Sequence, residues 1–225
     1  MNANLPYRAA AWLGVLNFLL NVVPFFIAPL PPFGPGADLV GFDLRYHDAL
    51  IVANYLGVIQ VPVGLIVLVF IAAHTRYAED RARGAWWLLI LAAAVATAAV
   101  TAIITALFSV GPLLPGLGRL ALAVLTALGL YSLDVSFALQ ALLLAAIGAA
   151  TLRLRHLPPW LGWTAWLAAL LSALATFGLL MSSGPLAATS PLGLSVGGFS
   201  LPVWILLLSL YWLVRPPSRP APSAP

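Results

Sequence analysis

Seven side chains make the strongest case for chemistry in this sequence: Asn21, Asn54, Gln60, Thr97, Thr101, Asp134 and Gln140. They sit within or at the mouths of stretches otherwise built from Leu, Ala, Val, Ile and Phe. Asn17 and Asn21 share one helix face by their i,i+4 spacing, and Thr97, Thr101 and Thr105 share another. Amides and hydroxyls surrounded by hydrocarbon must find hydrogen-bond partners, so all of them are expected to point into a bundle. Two roles compete for this layer. As interhelical glue each group contributes about 0.6–2 kcal/mol, and neighbouring alanines let the helices approach closely. As a polar cavity opening outward, the layer accepts a small solute, ion or lipid head, with Asp134, Tyr131 and segment 116–132 as a lid. Polar packing is the commoner use of such residues, and the layer carries no clear buried charge.

Other constellations point to less. The sequence has no cysteine, and all ten basic residues are arginine, so disulfides, thiolate metal sites, cysteine nucleophiles and lysine Schiff bases are excluded. The one glutamate, Glu79, falls in a loop, and neither a His-Glu-x-x-His nor a Gly-x-Ser-Gly pattern occurs. No catalytic residue is assigned, and an intramembrane enzyme is the third choice of function. A haem held between helices needs two facing histidines. Only His74 and His156 share a depth, and their arginine neighbours suit protonated or surface histidines better than ligands. Asp38, Asp43, His47 and Asp48 lack a recognisable metal motif, with Asp48 placed to cap the second helix. No metal and no cofactor are expected. In the RYAEDRARG run at 76–84, Arg76 with Asp80 and Glu79 with Arg83 are spaced to pair on an extended helix end.

The elements that position these residues follow from composition. Of 225 residues, 63% are hydrophobic and 7% charged, against about a quarter charged in a soluble domain. Crossing a hydrocarbon core takes roughly 20 apolar residues as a helix. Six stretches qualify: Ala9–Leu30, Ala49–Ala73, Ala85–Phe108, Leu133–Leu152, Trp160–Met181 and Ser195–Val214. The first is too long for the apolar core of a signal peptide and reads as an uncleaved helix. Basic residues in short loops collect on the cytoplasmic side. With six spans and the N-terminus inside, eight arginines lie inside and Arg45 and Arg119 outside, whereas a seventh span through 116–132 leaves four inside and six outside. The expectation is therefore an all-α, six-span bundle with both termini cytoplasmic and an extra interfacial or re-entrant helix near 116–132, after the breaks at Pro112 and Pro115. Seven of the eight tryptophans, including Trp12, Trp160, Trp163, Trp166 and Trp212, fall toward the same inner ends, as headgroup anchors would. Residues 1–214 form one transmembrane domain. Residues 215–225, RPPSRPAPSAP, form a disordered Pro-rich cytoplasmic tail.

The junction Leu157–Trp163, reading LPPWLGW, resembles a motif of a bacterial family of six-helix membrane proteins classed as a domain of unknown function. Pro159 stands where that family usually has a basic residue. The resemblance implies a six-span bacterial protein of the inner, cytoplasmic membrane and carries over no catalytic residue. Physically, Pro158 and Pro159 start a helix that Trp160 and Trp163 anchor. The expected function is a non-enzymatic structural, sensory or accessory membrane component, the alternative being a solute, ion or lipid transporter or binding protein that uses the Asn/Gln/Thr layer. The bilayer is the expected partner, with a protein partner or a homo-oligomer open and no nucleic acid.

Overall fold

The computed structural model describes residues 5–28, 38–79, 84–114, 118–177 and 191–216. These form six α-helices: α1 (Leu5–Ile27), α2 (Leu39–Ala78), α3 (Trp86–Leu113), α4 (Arg119–Leu154), α5 (Pro159–Thr176) and α6 (Pro191–Val214). Among the described residues there is no strand. All the helices but α5 are long and apolar enough to cross a membrane, which makes this a multi-pass membrane protein. For α5 the expected span runs on to Met181, and residues 178–181 lie outside the described set, as does the tail from 217.

Each helix packs on the next in sequence, and α6 returns to α1, so the bundle closes as a ring. Helix α4 also touches α2 and α6 across the ring. Burial follows this placement: in their most apolar windows α4 and α6 are 56% buried, and α1, α2 and α3 only 22–28%. The remaining apolar faces are those offered to lipid.

Segment 118–132 is not a separate interfacial or re-entrant helix. It forms the first turns of α4, which runs unbroken for 36 residues. The reason is local: Pro115 and Gly118 precede the helix, and no proline interrupts it between Arg119 and Leu154. Helix α2 likewise starts ten residues ahead of its expected span, capped by Asp38, whose Oδ1 accepts the Gly41 N–H at 2.9 Å. Asp48, expected as the cap, lies inside the helix, and a non-helical Tyr46 (φ −112°, ψ 17°) marks a kink close to the expected start. At 40 and 36 residues, α2 and α4 are about 60 and 54 Å long, well beyond a hydrocarbon core of about 30 Å. Both have their N-terminal turns at the end of the bundle away from most arginines.

The core fills the arginine-rich half. It contains Ala10 and Ala11 of α1, Val67, Leu68 and Ile71 of α2, Ile90 and Ala94 of α3, Leu143, Leu144 and Ile147 of α4, Leu161 and Ala165 of α5, and Trp204, Leu208 and Trp212 of α6. Water drives little association between helices in lipid, so close packing of small residues does much of the work. The α4–α5 contact depends on it: a Cβ on Gly148 would lie 3.0 Å from the Gly162 carbonyl oxygen and 2.8 Å from the Trp166 ring. Trp212, expected as a headgroup anchor, is a core residue instead, as is Trp204; each is 1% exposed. The Trp204 indole N–H donates to the Leu161 carbonyl at 3.0 Å and ties α6 to the start of α5. Trp12, Trp160, Trp163 and Trp166 remain exposed in the manner of anchors. Glu79 ends α2 rather than extending it, and its Oε1 accepts the Trp86 N–H at 2.7 Å to start α3. Arg76 lies 4.7 Å over the Trp87 ring. Asp80 and Arg83, their expected partners, are outside the described residues.

Candidate functional site

Just beyond the packed core lies a partly open cavity of about 170 Å³ lined from α1, α2, α3, α4 and α6. Its polar lining is Asn17 and Asn21 from α1, Gln60 from α2, Thr97 and Thr101 from α3, and Ser136 and Gln140 from α4. The rest of the wall is apolar, including Phe25, Leu65, Leu68, Ile104, Phe137 and Leu201. Five of the seven residues expected from sequence therefore meet at one space. Asn54 and Asp134 are not in its lining. Asn54 donates from Nδ2 to the Phe108 carbonyl at 3.4 Å and links α2 to α3. Asp134 is buried with no hydrogen-bond partner for Oδ2. Tyr131, the other expected lid residue, is exposed, and with 118–132 continuous in α4 that lid is not a separate segment.

Hydrogen bonding within the layer is mostly intrahelical. Thr97 Oγ1 donates to Ala93 O and Thr101 Oγ1 to Thr97 O, each at 2.8 Å, and Ser136 Oγ donates to Leu133 O at 2.6 Å. A hydroxyl has one proton, so each of these oxygens is left as an acceptor only. Asn21 Nδ2 donates to the Asn17 carbonyl at 2.8 Å. The cross-helix bond here is Gln60 Nε2 to Asn17 Oδ1, 3.2 Å, joining α2 to α1. It needs Gly64, because a Cβ there would stand 2.7 Å from Asn17 Oδ1. Gln140 is 8% exposed, and its Oε1 is buried with no hydrogen-bond partner. Leaving such an atom bare costs about 1–3 kcal/mol.

Sequence reading missed the contribution of α6. Pro202 lies inside that helix and lines the cavity with Gly198. Proline has no N–H to give the carbonyl four residues back, which is that of Gly198. A Cβ on Gly198 would meet no atom within 4 Å, so the backbone is open to the cavity at that point. The signal was present as a Gly-Gly pair four residues ahead of a mid-span proline.

A second polar cluster lies at the arginine-rich end. His74 and His156 are not surface groups there: their ring centroids are 5.3 Å apart, touching each other rather than flanking a gap. Tyr7 Oη is 3.2 Å from His74 Nδ1, and Trp212 meets the His74 ring edge-on at 5.8 Å. Thr75 Oγ1 gives its proton to Ile71 O at 3.0 Å, so at 3.4 Å it accepts from His156 Nε2. His74 Nε2 and His156 Nδ1 are buried without partners. Burial, and then the nearby His74, push the His156 imidazole down to about 4, which leaves it neutral. Arg155 makes the contact by ending α4 in the left-handed region (φ 53°), turning the chain so that His156 meets α2.

No protein-family model, curated protein or solved structure matches the chain.

Proposed function

We propose that this chain is a multi-pass protein of the bacterial inner membrane that binds a small polar solute in its central cavity. The observation that carries this reading is Gln140, a lining residue of a space shared by five helices, whose buried Oε1 has no partner. Glue would pair these groups across helices. Here Thr97, Thr101 and Ser136 bond within their own helices, and Gln140 leaves an acceptor free. A solute that hydrogen-bonds there recovers the desolvation cost. Placement in the inner membrane with both termini cytoplasmic rests on the arginine bias of eight against two and on the LPPWLGW resemblance.

The absence of native cysteine makes the test direct. Gln140→Cys and Asn21→Cys in sealed, right-side-out vesicles are expected to react with a small water-soluble thiol reagent added outside. Complete resistance of both, with full reaction after detergent denaturation, would return the layer to a purely structural role.

A further inference from the structure

The cavity wall also specifies what kind of solute fits, a deepening that rests on the binding reading above. The acceptors are Gln140 Oε1, which is unpartnered, and the hydroxyl oxygens of Thr97, Thr101 and Ser136, whose single protons are spent on backbone carbonyls. Pro202 adds the carbonyl of Gly198. Donors are present as well: Gln60 Nε2 gives one hydrogen to Asn17 and retains a second, Asn21 Nδ2 gives one to the Asn17 carbonyl and retains a second, and Asn17 and Gln140 each carry a side-chain NH2. Among the described residues neither Asp134 nor any other charged residue lines the space, and half of the lining is Leu, Ile, Val, Phe and Ala.

A metal cation or ammonium ion can satisfy the acceptors but cannot accept from an amide N–H, and it finds no countercharge here. A ketone or ether can accept but leaves Gln140 bare. A hydroxyl does both. The size matches a ring with one substituent, since an apolar cavity of about 150 Å³ holds benzene and this one is about 170 Å³. We infer that the cavity takes a compact uncharged alcohol, its apolar body against Phe25, Leu65, Phe137 and Leu201, and its hydroxyl donating to Gln140 Oε1.

The test uses the full chain in nonionic detergent with Ala98→Cys, a small lining residue, as reporter. Its alkylation rate is measured with cyclohexanol, with cyclohexanone and with sodium or ammonium chloride. Cyclohexanol is expected to protect at a concentration about tenfold or more below cyclohexanone, the discrimination of a site whose buried polar group goes unpaired with the wrong ligand. Adding Gln140→Leu is expected to erase that difference. Because Gln140→Leu can disturb packing, Gly198→Leu, which grows into open space, serves as a second variant and is expected to abolish protection while the protein stays folded. Equal protection by alcohol and ketone, or protection by the salts alone, would overturn the alcohol assignment and leave solute binding intact. An Ala98→Cys that reacts only after denaturation would overturn the binding reading and the assignment together.

Discussion

The two halves of the bundle are made by the same six helices and solve the burial of polar groups in different ways. In the arginine-rich half, small residues bring backbones together, as Gly148 and Gly162 do between α4 and α5, and large side chains such as Leu143, Ile147 and Trp212 leave little space. Its polar groups include two imidazoles packed against each other, with Tyr7 and Trp212 edge-on to His74. In the far half, amides and hydroxyls replace the aliphatic layer, Pro202 removes a backbone hydrogen bond from α6, and the helices line a partly open cavity. The contrast teaches that amides leave a neutral wall that can respond to a solute, while histidines make the packed half respond to protons.

The largest test of that contrast exchanges one glycine in each half for leucine. Gly148→Leu drives a side chain into Gly162 and Trp166 and is expected to abolish the monodisperse peak on size exclusion. Gly198→Leu, with nothing in the way, is expected to keep it. Next is truncation. Leu143→Ala opens a hole in a fully buried site and is expected to cost about 2–5 kcal/mol in reversible unfolding, whereas Leu65→Ala merely enlarges an existing cavity and is expected to cost under about 1.5 kcal/mol.

Acid separates the halves by charge. His156 titrates at about 4 when folded and near 6.5 when the imidazole is exposed. Between those values the unfolded chain holds more protons, so this contribution to stability is complete above about 6.5 and is lost as pH falls toward about 4. Melting temperature is expected to fall across that window in the native chain and to fall less in His156→Asn. Solute protection of Ala98→Cys is expected to stay level in the upper part of the window, while the fold persists. The smallest effects concern single hydrogen bonds: Trp204→Phe loses the 3.0 Å bond to Leu161 and is expected to cost about 1 kcal/mol, and Asn54→Leu, losing a 3.4 Å bond, under about 0.5 kcal/mol by the same unfolding measurement.

Depth was legible in the sequence, and direction was not. A rise of about 1.5 Å per residue sets how far along its helix each residue lies, so Asn21, Gln60 and Thr97 could be placed near the midplane, and Thr101 and Gln140 in the outer half, before any packing was known. The same counting put Asn54 and Asp134 beside them. Which side of a helix meets the cavity depends on its neighbours, and those two side chains point elsewhere. The membrane class and the six main helices followed from apolar run lengths. The continuity of α4 did not, because the arginine bias counts crossings and says nothing about whether two consecutive helical segments join. The histidine pair stayed hidden for a similar reason: it depends on the left-handed turn at Arg155, a conformation that an arginine does not advertise.

The central claim is that polar solutes reach the far half and not the packed half. Gln60 and Ile71 stand close to one face of α2, three turns apart, the first on the cavity wall and the second 1% exposed in the core. With Gln60→Cys and Ile71→Cys in otherwise native chains, the alkylation rates by a small water-soluble reagent compare the two halves along a single helix. The account predicts a rate for Gln60→Cys at least about a hundredfold above that for Ile71→Cys, the ratio expected when local opening differs by about 2.7 kcal/mol. Equal rates, with both sites inert until the protein is denatured, would contradict it.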